Sequence, residues 1–205
     1  LLLGTLPVTH LTGTVSHLSL DLGTGHPGDA VFIASLAMAF VLGAVLSGVI
    51  IGASTLRLGR RYGIAVMSEA GLLAVAAIAV SHSLWATALL AAAAAGLQNA
   101  MASSYRSMIV RTTHVTGLLT DLGFLAGQRL GGHKIAGWRF ALIGGLLVAF
   151  VSGGLLGVVA HARIGGDALW IPSGGLALAG SAYFAWRIVY GRTIRPRSWS
   201  RSGRH

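Results

Sequence analysis

Five apolar runs divide the chain. Ala30 to Leu56 contains no charged residue until its basic flank. As a helix it is long enough to cross the ~30 Å hydrocarbon core of a bilayer. Ile64 to Val80 is the second run, broken only by Glu69, and the Ser-His-Ser that follows makes a tight turn. Leu84 to Ala102 is the third, rich in alanine, with Gln98 and Asn99 near its end. Phe140 to Ala160 and Ala168 to Trp186 are the fourth and fifth. Each is predicted to be a transmembrane helix. Between the third and fourth lies a polar interruption, Arg111 to Gly123, reading RTTHVTGLLTDLG. A related cassette, THLTGTVSHLSLDLG, runs from Thr9 to Gly23.

Basic residues collect between the runs and fix an orientation. Arg57, Arg60 and Arg61 form one cluster and Arg129, Lys134 and Arg139 another; the tail from Gly191 to His205 carries more. Lys and Arg favour the cytoplasmic side of a membrane. All three clusters are therefore expected inside, with the C-terminus cytoplasmic. The third run then ends inside and the fourth starts inside. The second cassette makes no net crossing: it is interfacial, or it dips in and returns.

The two cassettes align at a constant offset. His10 to His114 and Thr12–Gly13 to Thr116–Gly117 are both displaced by 104 residues, and Gly71–Leu72 matches Gly175–Leu176 at the same offset. Ser47 to Gly52 matches Ser152 to Gly157 with one residue of slippage. An ordered series of matches points to a duplication of a three-crossing unit. An odd number of crossings inverts the second copy. The expected organisation is a single membrane domain over residues 1–205, with a first repeat over 1–80, a second over 83–190 and a basic tail over 191–205. The offset also leads us to expect a leading helix of the first repeat ahead of Leu1. The fold class expected is an all-α polytopic bundle with inverted-topology repeats and interrupted or re-entrant THxTG segments, a pattern of secondary transporters.

Composition agrees. Of 205 residues, 54% are hydrophobic and only 10% are charged, against about 25% charged in ordinary soluble domains. The formal net charge of +10 follows the inter-helix pattern, so nucleic acid is not an expected partner. Cysteine is absent, which excludes disulfides and thiolate chemistry. No HExxH, GxSxG or P-loop motif is present, so enzymatic activity has no sequence signature, and neither cofactor nor metal is expected.

LQNA at Leu97–Ala100 followed by RTTHVTGLLTDLG resembles the YoaK family of bacterial multi-spanning membrane proteins, also called the DUF1275 family. The first cassette, with Thr12–Gly13–Thr14, fits a weaker N-terminal motif of that family. The resemblance covers essentially the whole chain. It implies a membrane fold and a permease at most, and it supplies no substrate.

Candidate chemistry concentrates in the cassettes. Thr113, His114, Thr116, Gly117, Thr120 and Asp121 form the main candidate site, with His10, Thr12, Gly13 and His17 as repeat counterparts and Gln98 and Asn99 beside it. On a helix, His114 and Asp121 share a face. Ionisable groups at membrane depth are costly and mark functional positions, and histidine titrates near neutral pH. The structural alternative has the threonine hydroxyls bonded to helix carbonyls, with His114 and Asp121 as a buried pair. His114, Asp121 and Glu69 are candidate coupling groups; Glu69 alternatively snorkels to the cytoplasmic interface. The glycine pairs Gly48–Gly52 and Gly153–Gly157 are expected where helices cross closely. The reading reached from sequence is a small-molecule permease of the bacterial inner membrane. An intramembrane enzyme using a His/Asp pair and a non-transporting membrane scaffold are the alternatives. The expected partners are membrane lipid and a small polar solute, with homo-oligomerisation left open.

Overall fold

The computed structural model describes residues 2–3, 6–7, 13, 16, 19, 23, 27–52, 59–103 and 114–190. Six α-helices make up nearly all of this: α1 (Pro27–Ile51), α2 (Arg60–Ala79), α3 (Leu84–Ser103), α4 (Val115–Leu130), α5 (Gly137–Ile164) and α6 (Trp170–Tyr190). A five-residue 3-10 turn, Gly165–Leu169, joins α5 to α6. The other regular feature is a two-residue antiparallel pairing of Leu2–Leu3 with Leu6–Pro7. The chain is all-α, as expected.

Local sequence sets the helix ends. α1 opens on Pro27, whose fixed φ suits a first helical position. It closes at Gly52, which takes φ +64° and donates its N–H to Gly48 O at 2.8 Å. Arg61 Nη1 donates to the last α1 carbonyl, Ile51 O, at 3.1 Å, a favourable place for a cation. Ser83 caps α3 by accepting from Ala86 N at 3.2 Å. Gly165, at φ +59°, ends α5.

Four stretches are long and apolar enough to cross a membrane: Ala30–Ile51, Arg60–Ala79, Leu84–Ser103 and Gly137–Val189. The last spans 53 residues and includes α5, the 3-10 turn and α6, too much for one crossing of ~30 Å. α4 is absent from this set. Its 16 residues reach roughly 24 Å, short of the hydrocarbon thickness.

α1, α2, α3 and α6 form the packed part. α1 lies along α3 in parallel: the Phe32 and Trp85 rings meet at 4.6 Å, Leu36 packs on Ala88, Ala91 and Ala92, and Ile51 shares a cluster with Leu97. The approach is close because two glycines allow it. A Cβ on Gly43 would collide with the Ala93 carbonyl, and one on Gly96 with the Phe40 carbonyl. Lipid is as apolar as leucine, so close contact and dispersion hold membrane helices together. These crossing glycines differ from the pairs expected from spacing: a Cβ on Gly48, Gly153 or Gly157 would meet nothing within 4 Å. Gly52 instead serves the α1 terminus.

α6 runs antiparallel to α2. Gly63 meets Phe184 and Tyr183, Gly180 meets Met67, and Ser173 Oγ donates to Ala70 O at 3.0 Å. Tyr183 donates through its hydroxyl to Gly59 O at 3.1 Å. α5 stands apart. Apart from α4 and the 3-10 turn it has no extended neighbour among the described residues, and Val148, Leu155, Leu156 and Val158 lie bare. In water such a surface would not persist; its chemistry suits the hydrocarbon of a bilayer.

Candidate functional site

The second cassette is described from His114 onward; Arg111 and Thr113 lie outside the described residues. His114 is the N-cap of α4 rather than a residue of the helix. Its φ and ψ are −99° and 76°, and its Nδ1 accepts from the Gly117 N–H at 3.0 Å. An Nδ1 that accepts carries no proton, so the capping imidazole has its hydrogen on Nε2. Gly117 sits beneath the ring, where a Cβ would come within 3.0 Å of Nδ1. The shared helical face expected for His114 and Asp121 is therefore not formed. Nδ1 is engaged by Gly117, and Asp121 stands exposed a turn further on.

α4 is two-sided. Leu118, Leu122 and Leu125 recur at helical spacing and pack on Phe140, Ile143, Leu146 and Leu147 of α5. Thr116, Thr120 and Asp121 are exposed on the remaining surface. Thr120 Oγ1 donates to Thr116 O at 2.8 Å, the carbonyl bonding of the structural alternative. That bond leaves the Thr120 oxygen free to accept from elsewhere.

Of the first cassette, His10, Thr12 and His17 lie outside the described residues. Gly13, Ser16, Ser19 and Gly23 are described, each in helical conformation, with Gly13 half-buried. The approach of the two cassettes to each other thus falls outside the described residues.

Asn99 is buried on α3, donating through Nδ2 to Ala95 O at 3.0 Å; its backbone carbonyl accepts from Ser103 Oγ at 2.8 Å. Gln98 is half-buried beside it. α4 makes its extended contact with α5 and none of similar extent with α2 or α3, so the Thr116–Asp121 row and the α2–α3 polar groups belong to separate packing groups.

Glu69 is the correction of most consequence. α2 starts at Arg60, not Ile64, so Glu69 stands at the midpoint of a 20-residue helix, roughly 14 Å from either end. It is 3% exposed, and no described group bonds its Oε2. A side chain so enclosed does not snorkel. Ser47 Oγ and Arg187 Nη1 are likewise buried without a partner among the described residues. No three His, Asp or Glu side chains come together as metal ligands would among those residues.

Sequence reasoning missed one cavity. A shallow open cleft of about 370 Å³ is lined by Ala77, Ile78, Val80, Ser81, Gly166, Asp167 and Trp170, between the end of α2 and the 3-10 turn. Asp167 is its single charged group. Only the three-dimensional return of the 3-10 turn to α2 creates it, and no local motif announces that.

Searches among curated proteins and among solved structures return no match. A model of a protein family of unknown function, DUF1275, matches residues 1–182. Helices apolar enough to span a membrane, an interrupting polar helix and this match over most of its length agree: the chain belongs to the DUF1275 family.

Proposed function

We propose that the protein is a permease for a small polar solute in the bacterial inner membrane, with its site formed where the two cassettes meet. The observation that carries this reading is the α4 row. Thr116, Thr120 and Asp121 are exposed on a helix too short to cross the bilayer, carried on the flank of apolar α5. Polar groups at membrane depth are tolerated against protein or water, not against lipid. The first cassette, which repeats the same residue types, supplies the facing wall. Its sequence repeat also supplies the inverted second half that alternating access requires. The basic clusters put α4 toward the cytoplasmic side, with the C-terminus inside.

The test is solute entry into proteoliposomes. Purified protein is reconstituted and challenged with inward gradients of neutral polyols, amino acids and short carboxylates, with light scattering reporting entry. One class should enter faster than through protein-free vesicles, and Thr116→Val with Thr120→Val should remove the difference. Equal entry for every class with and without protein would sink the permease reading.

A further inference from the structure

We propose that Glu69 is a reversible proton-binding site at the middle of α2, enclosed by the packed group of α1, α2, α3 and α6. The assignment deepens the permease reading by naming its coupling ion, and rests on that reading only for what the proton drives.

Glu69 and Ser173 are counterparts at the 104-residue offset of the repeat. Both are buried, at 3% and 5% exposure. Ser173 Oγ bonds Ala70 O, the carbonyl next to Glu69 in the chain, so the two positions lie at similar depth. Glu69 stands midway along α2, the depth at which coupling sites of inverted-repeat transporters lie.

The chemistry selects a proton over a metal cation. Hard cations need about six oxygens around them. Glu69 offers one carboxylate. The Ser173 hydroxyl already donates to a carbonyl, and among the described residues Glu69 belongs to no cluster of three acids or imidazoles. Among the described residues no counter-charge stands at that depth. Among the described side chains α1 and α3 bear no charge. On α2 itself Arg60, Arg61 and Tyr62 sit at the first turn; on α6 Tyr183 and Arg187 sit in the closing turns; Asp167 lies in the 3-10 turn and His82 in the turn after α2. An isolated carboxylate in such a place is neutralised most simply by an O–H bond formed with a proton from water on one side. The same bond breaks to release the proton to the other side, with nothing oxidised or reduced.

Infrared spectroscopy of the full chain in lipid nanodiscs tests this without any solute. A carboxylic-acid C=O band should disappear as pH is raised and shift in deuterium oxide. It should be missing in Glu69→Gln and retained in Asp121→Asn and Asp167→Asn. Glu69→Asp guards against a folding failure of the amide variant: it should keep a titrating band at a displaced frequency. The proposal is overturned if the band persists in Glu69→Gln, or if no acid band titrates in the wild-type protein. In proteoliposomes, Glu69→Gln should still admit solute down its own gradient but lose accumulation driven by an imposed pH gradient. A Glu69 band without solute entry leaves the proton site standing and removes the permease reading. Solute entry with no Glu69 band does the reverse.

Discussion

The backbone N–H of Gly117 donates to Nδ1 of His114 at 3.0 Å. The histidine of the second cassette is therefore a structural cap whose ring proton sits on Nε2. His114→Ala should lower stability by about 0.5–2 kcal/mol, the usual cost of losing an N-cap, while His114→Asn should retain most of it. Thermal unfolding in detergent separates the two. Equal melting of the alanine and wild-type proteins would mean that the cap contributes nothing.

Asp121 is exposed and unpaired with His114. Asp121→Asn should change stability by no more than about 0.5 kcal/mol, as surface changes do, yet abolish solute entry. Uptake and melting temperature measured on the same reconstituted variant decide this. Unaltered uptake, or loss that tracks unfolding, would remove Asp121 from the site.

Gly43 and Gly96 permit the α1–α3 approach. Gly43→Val should destabilise by about 1–3 kcal/mol through overpacking. Gly153→Ala, in open space, should be nearly neutral. Detergent melting curves of the pair give the comparison, and the reverse order would contradict the packing described.

Orientation is testable because the chain has no cysteine. Single cysteines at Arg60, Lys134 and Ser198 should all resist an impermeant thiol reagent in intact cells. Labelling of any one from outside breaks the arrangement of basic clusters on the cytoplasmic face.

Much of the architecture is legible in the sequence because membrane spans announce themselves by length and apolarity. Boundaries shift where a basic residue belongs to a helix: Arg60 and Arg61 begin α2 although they read as a loop. Facing is harder. α2 and α3 are apolar nearly all round, so periodicity could not say that Glu69 points inward. Glycine spacing could not tell the crossing residues Gly43 and Gly96 from the open Gly48 and Gly153. The cap was hidden for another reason. Ser, Thr, Asp and Asn are the usual N-caps, and the threonines beside His114 draw attention from it.

α5 has 28 residues, about 42 Å of helix, against a hydrocarbon core of ~30 Å. Such a mismatch is relieved by tilting, by protrusion or by local thickening of the bilayer. Among the described residues only α4 and the 3-10 turn flank α5 extensively, which leaves its inclination responsive to lipid thickness. α4 is fastened to its side through Leu118 and Leu125 and must follow. Short-chain lipids lay the pair down, long-chain lipids stand it up, and the depth of Thr116, Thr120 and Asp121 changes with the membrane around them.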